Sequence, residues 1–349
     1  MFVLSPALKD KCKVKPISND MKRFIRQLFI FILTIALIGC GKQANNGEGA
    51  QGGGSEKKSR GLIGATCMNI ANPFFKVIEE NMRDEAAKHG YDLIYLGCEM
   101  DISKQQKQIQ DFLAKGVVAV AVNPKDSKAI GTSVKECNDA NVPVFSFDVR
   151  VQAPDAKVVS HVGTDNFQGG ELAGEAMIKA LGEAGGKVVV IDFRAAESCI
   201  ERVKGFKKVI DAYNAERESG KIEIAAELSG EGLRDKGFKA AEDALQQVPD
   251  MRGIFAINDP SGLGAVGALE KAGKLEQVTV IAFDGMPAGK QAIKDGKIYA
   301  DPVQHPDKIG RECIRAIVSH LSGEEVPANV DIPASLYTKE TADKDTSLN

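Results

Sequence analysis

The chain has 349 residues, 43% hydrophobic and 27% charged, which is ordinary globular material and enough for two domains of roughly 100–150 residues each. A net charge of −3, with no basic run in the body, argues against nucleic acid as a partner. Seven cysteines without CxxC spacing and four scattered histidines (His89, His161, His305, His320) form no recognisable metal pattern, and no cofactor is expected.

In chain order, the first recognisable segment is an export signal. Lys22, Arg23 and Arg26 precede an apolar run at residues 28–38 that ends at Gly39-Cys40. This is a basic region, an apolar stretch within roughly 7–15 residues and a small residue at the cut. The run is too short to span a membrane. Leu37-Ile38-Gly39-Cys40 resembles a bacterial lipobox, which makes Cys40 the expected lipidation site and Met21 the expected start. Residues 1–20 then read as upstream sequence or as a long basic region. Loss of residues 1–39 would remove seven Lys/Arg and two Asp/Glu, leaving the remainder more acidic than the whole. Residues 41–60 are polar and Gly-rich, a flexible linker with an r.m.s. reach of roughly 25 Å.

From Gly61 onward, apolar β-branched runs alternate with helical segments: GLIGATC, YDLIYLG, VVAVAVN and VPVFSFD, then KVVVID, IEIAAEL, GIFAIN and VTVIAF. Near-continuous apolar strands separated by helices predict parallel sheets covered on both faces. After the first strand comes NIANPFF. Asn72 suits a helix N-cap and Pro73 the first helical position, so Phe74 and Phe75 fall in a first turn, followed by a periodic stretch that Gly90 stops. Of the cysteines beyond the linker, Cys67 and Cys98 each end a predicted strand, where a disulfide or two small core residues are the alternatives.

The strand ends repeat. VAVAVN and VPVFSFD are echoed by GIFAIN and VTVIAFD at nearly the same spacing, so Asn123 and Asp148 correspond to Asn258 and Asp284. Open α/β sheets bind ligands outside the carboxyl ends of their strands. Two similar lobes facing each other would therefore place all four residues on the walls of one cleft. The Phe pair would lie on the same edge, exposed so that a ligand can cover the rings. A sugar, with an apolar C–H face and a hydroxylated rim, suits aromatic platforms ringed by donors and acceptors.

The stretches NPFF, VNPKDS, VPVFSFD, VGTDNFQGGELAG, ERVKGF, FAINDPSGLGA, VIAFDG, AIKDGKIYA and VQHPDKIG, in this order, resemble the ribose-type periplasmic sugar-binding proteins of ABC importers. The resemblance runs from about Arg60 to the end. It implies two Rossmann-like doubly wound α/β lobes joined by a three-stranded hinge. One lobe would be 61–163 plus 305–334 and the other 164–304 plus 335–349, with crossovers near Gly163, Gln304 and Ala334. It implies that Phe74 and Phe75 stack on the sugar, that Phe283 packs beside Asp284, and that Asn72, Asn123, Asp148, Arg202, Asn258, Asp284 and Gln304 bond its hydroxyls. Its partners would be a monosaccharide and a membrane permease, its site the cell envelope, and its state a lipid-anchored monomer. The chain departs from that pattern at Met68, where a small hydroxyl residue is usual, at Val149, where Arg is usual, and near Gly232 and Leu233, where a third aromatic is usual. Arg150, Arg194 and Glu197 are further candidates for ligand contact.

Other classes have weaker hooks. GLGAVG at residues 262–267 matches G-x-G-x-x-G literally, with Asp284 about 20 residues on, but it follows a late strand of its lobe and not the first. Its small residues are expected to let a helix pack closely on the sheet. Asp148 and Asp284 across a cleft could serve a glycosidase. A sugar-responsive repressor would carry a DNA-binding domain where this chain has a signal and linker. A receptor presenting sugar to a membrane sensor is the alternative to transport.

Overall fold

A computed structural model describes residues 59–348, and each of the eight apolar runs named from Gly61 onward forms a strand in it. One sheet contains β1 (Leu62–Cys67), β2 (Asp92–Gly97), β3 (Ala119–Val122), β4 (Val144–Phe147), β5 (Ser160–Thr164) and β11 (Asn329–Ile332). The other contains β6 (Gly186–Asp192), β7 (Ile222–Ser229), β8 (Met251–Ala256), β9 (Thr279–Ile281), β10 (Ala300–Val303) and β12 (Ser335–Thr338). Their orders, β11-β5-β4-β3-β1-β2 and β12-β10-β9-β8-β6-β7, are the same arrangement twice. Pairing is parallel except for β12, which runs antiparallel to β10 along the edge. Residues of β3 and β4 are buried throughout, as strands covered by helices on both faces require.

The helices are α1 (Pro73–Lys88), α2 (Ile102–Ala114), α3 (Gly131–Asp139), α4 (Asn166–Leu181), α5 (Glu197–Ala215), α6 (Arg234–Gln247), α7 (Asp259–Lys271), α8 (Pro287–Lys294), α9 (Pro306–Leu321) and α10 (Lys339–Lys344). The chain crosses between sheets three times: from β5 into α4, which packs on β9 and β10; from β10 into α9, which packs on α1; and from β11 into β12. Three crossings thus join the two lobes, and one hydrophobic cluster contains buried residues of both.

Local chemistry sets the turns. Asn72 caps α1, its side chain accepting the Phe74 amide at 3.0 Å, with Pro73 next. Asn258 caps α7 likewise, accepting the Ser261 amide at 3.0 Å. GLGAVG lies inside α7, where a side chain at Gly264 would come 2.2 Å from the Arg234 carbonyl oxygen of α6. The motif is a packing stripe between helices. Cys67, Cys98, Cys137, Cys199 and Cys313 are free and buried, so Cys67 and Cys98 do not form a disulfide; burial pushes their thiols up to about 12 and about 11. The export signal, Cys40 and residues 41–58 of the linker lie outside the described residues.

Candidate functional site

Between the lobes lies a cavity with about 330 Å³ of atom-free space, its mouth included. The first lobe contributes Met68 after β1, Asn72, Phe74 and Phe75 at the start of α1, and Asp148 and Val149 after β4. The second contributes Phe193 after β6, Ala196, Ser198, Cys199 and Arg202 around the start of α5, and Asp284 after β9; Gln304 stands at a crossover. A larger hollow, about 1360 Å³, opens at the opposite, amino-terminal ends of β9 and β10. The inter-lobe cavity is the better candidate because buried charged groups from both lobes converge there.

The lobes are closed. Ser127, in the loop after β3, donates its amide to the Ala195 carbonyl at 3.0 Å and accepts the Glu197 amide on its hydroxyl at 2.9 Å. The expectation of exposed rings is not met: Phe74 and Phe75 belong to a core cluster and are only 2% and 4% exposed, edge to face with centroids 5.3 Å apart, yet both still line the cavity.

Two aspartates end matching strands, both with a positive φ. Asp148 (φ 59°) and Asp284 (φ 115°) both occupy the left-handed region, which costs a non-glycine residue on the order of 1–3 kcal/mol and persists where the surroundings enforce it. Asn123 donates to Asp148 Oδ2 at 2.8 Å and accepts the Met68 amide at 3.0 Å, tying two strand ends together. Gln304 donates to Asp284 Oδ1 at 2.6 Å and accepts from the Thr164 hydroxyl at 2.6 Å, so it links Asp284 to the first crossover.

Arg202 is 3% exposed. Its Nε donates to Asn166 Oδ1 at 2.8 Å, and its Nη1 donates to the Ile257 carbonyl at 2.6 Å and to Asp284 Oδ1 at 3.2 Å. The guanidinium lies 3.8 Å above the Phe283 ring. Helix α4 must approach closely to hold it: a side chain at Gly170 would come 2.1 Å from the Arg202 carbonyl oxygen. Burial pushes the Asp148 carboxyl up to about 7, against the pull of Arg202 and with a further push from Asp284. Burial raises Asp284 as well, opposed by Arg202 and Gln304. Two acids and one fixed cation in a buried setting can accept and donate hydrogen bonds across adjacent hydroxyls.

Six expected residues, Glu197 among them, stand behind or beside the cavity and do not line it. Asn123 positions Asp148, Asn258 is occupied with the α7 cap and the Gly232 carbonyl, and Phe283 is a fully buried floor under Arg202. Arg150 pairs with Asn329 and Asp331 and approaches Glu197 at 3.6 Å, a bridge between the lobes. Arg194 turns outward to Asp192 at 3.1 Å and Glu227 at 3.2 Å. The lining residues Phe193, Ala196, Ser198 and Cys199 are not among those expected from the sequence. The internal repeat could have found them, since they occupy the first strand–helix turn of the second lobe, as Met68 to Phe75 do in the first. Near Gly232, where the resemblance leads one to expect a third aromatic, the Phe193 ring lies 3.7 Å from where a Gly232 side chain would begin.

A family model described as a periplasmic binding protein domain matches residues 63–325. The chain belongs to the periplasmic binding protein family. The ribose import binding protein of Escherichia coli strain K12 is 35% identical over 283 residues, covering 81% of this chain and 92% of the relative. The D-apiose import binding protein of Paraburkholderia graminis is 30% identical over 285 residues, covering 81% and 89%. Among solved structures, an ABC transporter solute binding protein from Bacillus halodurans with bound myo-inositol superposes with a TM-score of 0.74 at 27% identity, covering 83% of this chain and 98% of the other. These relatives are binding proteins, and the doubly wound two-lobed architecture seen here is that of the family.

Proposed function

We propose that this chain captures a neutral monosaccharide, ribose-like or closely related, in the inter-lobe cavity and delivers it to an ABC importer. The observation that carries the reading is the pair Asp148 and Asp284 at matched strand ends, facing one cavity with Arg202 and the Phe74–Phe75 pair. The acids accept hydroxyl protons, Arg202 donates to ring or hydroxyl oxygens, and the rings cover a C–H face. The names of the relatives, which concern ribose, apiose and inositol, support the class of ligand.

In this reading 61–163 plus 305–334 move against 164–304 plus 335–349, hinging near Gly163, Gln304 and Ala334 by the domain closure around ligand that periplasmic binding proteins undergo as a class. The protein acts as a monomer, exported and anchored through Cys40 on the periplasmic or extracellular face of a membrane. Cys40→Ser should move it from the membrane to the soluble envelope fraction; an unchanged distribution would remove the anchor. A thermal-shift panel of pentoses, hexoses, deoxysugars, polyols and sugar acids tests the ligand class, because a ligand that binds only the folded state raises its melting temperature. A response to sugar acids alone would reject a neutral ligand.

A further inference from the structure

We propose that Asp259 and Asp301, buried behind the cavity, form an acid–carboxylate pair that shares one proton and, through the turn at residues 284–286, positions Asp284. Asp259 is the first residue of α7 and Asp301 lies in β10; they are 2% and 0% exposed, with their carboxyls within hydrogen-bonding reach of each other. Asp259 Oδ2 accepts the Met286 amide at 2.7 Å. Asp259 Oδ1 and both Asp301 oxygens have no donor among the described residues. Two ionised carboxylates can only accept, so three buried acceptors would confront one another unsatisfied. One shared proton makes one acid a donor and leaves a single charge.

Beyond the Gly285 amide, which favours ionised Asp301, the surrounding groups offer no substitute for that proton. Asp284 adds a like charge, and Arg202, the cation whose field reaches the pair, is already committed to Asn166, Ile257 and Asp284. Tyr337, opposite Asp301 in β12, gives its hydroxyl to Asp345 at 2.8 Å, and Lys290 of α8 lies 5.0 Å over the Tyr337 ring. The pair also brackets the ligand-facing acid. Asp284 donates its amide to the Pro302 carbonyl, next to Asp301, at 3.1 Å, while Asp259 holds Met286 two residues on. Asp301 thus acts on the site as a positioning residue, through Asp259 and the turn.

Burial raises both acids, Asp259 well above the carboxylate range and Asp301 to about 7, with the Asp284 charge adding to the effect, so Asp259 holds the shared proton through neutral pH while Asp301 takes up a second one below about 7. The folded state therefore keeps a proton that the unfolded chain releases near the ordinary carboxylate range. Stability present on the acid side must fall as pH rises through about 7.

The link to ligand rests on the reading of the cavity given above, but the test needs no ligand, so failure of one is distinguishable from failure of the other. Asp301→Asn keeps a donor for Asp259 and cannot ionise. Thermal unfolding of the full chain from about pH 5.5 to about pH 8.5 should show the variant losing at least about 3 °C less than wild type across that range. In NMR spectra the Met286 amide should titrate through the neutral range in wild type and be flattened in the variant. If Asp301→Asn does not fold, Asp259→Asn, which retains an acceptor for Met286, replaces it, and the wild-type titration stands on its own. Parallel melting curves, or a wild-type Met286 amide that stays fixed through neutral pH, would overturn the pair.

Discussion

Arg202 has the least freedom of any side chain in the site: three protein acceptors and an aromatic face fix its guanidinium. Lysine there would keep the charge and lose the planar fork, so Arg202→Lys should weaken sugar binding by roughly 10- to 150-fold, about 1.5–3 kcal/mol, in a calorimetric titration. Retained affinity would mean that the guanidinium is only a structural clamp. Asp148 makes a different prediction. Its carboxyl is raised to about 7, so in the empty protein it holds a proton that the unfolded chain would lose, and its contribution to stability falls as pH rises through that value. Hydroxyl donors from a sugar favour the ionised form. Binding below about pH 7 should therefore release a proton, visible as different heats in two buffers of unlike ionisation enthalpy. Equal heats would show that Asp148 does not accept from the ligand. At this scale the two aspartates were legible because each ends an apolar run whose pattern recurs. Asn166 and Thr164, which orient Arg202 and Gln304, were not, because only the folded chain brings them beside those residues.

Among the elements, the first strand–helix turn of the second lobe is the one whose role the sequence hides. NPFF announces its counterpart in the first lobe through an N-cap and a proline, whereas α5 begins at Glu197 after Ala196 with no side-chain cap, so no local signal marks Phe193 or Cys199 as cavity residues. That turn also carries the closing contact to Ser127. Ser127→Ala removes the acceptor for the Glu197 amide without altering the cavity lining. Sugar affinity should drop by about 3- to 10-fold, the scale of one hydrogen bond, with a more open empty state in small-angle scattering. An unchanged affinity would place the cost of closure elsewhere. β12 gave no sequence signal of its antiparallel course, since its direction depends on which neighbour its backbone meets.

For the molecule as a whole, duplication of one strand order is the feature that makes a cleft: two sheets with the same winding, turned so that their carboxyl ends meet, bring chemically similar tips together from residues more than a hundred apart. The strand–helix alternation made that architecture legible, but not its closed state, which follows from contacts such as Ser127 to Ala195 that have no sequence signature. Two phenylalanines at a surface turn are almost inaccessible while still lining the cavity, packed in the core cluster with Ile78 and Met82 of their own helix. The most direct test is calorimetric titration of the wild-type chain and Asp284→Asn with D-ribose, D-apiose, D-allose and myo-inositol. One of these should bind wild type one to one with a Kd in the micromolar range or below, near −8 kcal/mol or stronger, and lose about tenfold or more in the variant. Equal affinity in both proteins, or no binding by any of the four, would contradict a neutral sugar held between the two aspartates.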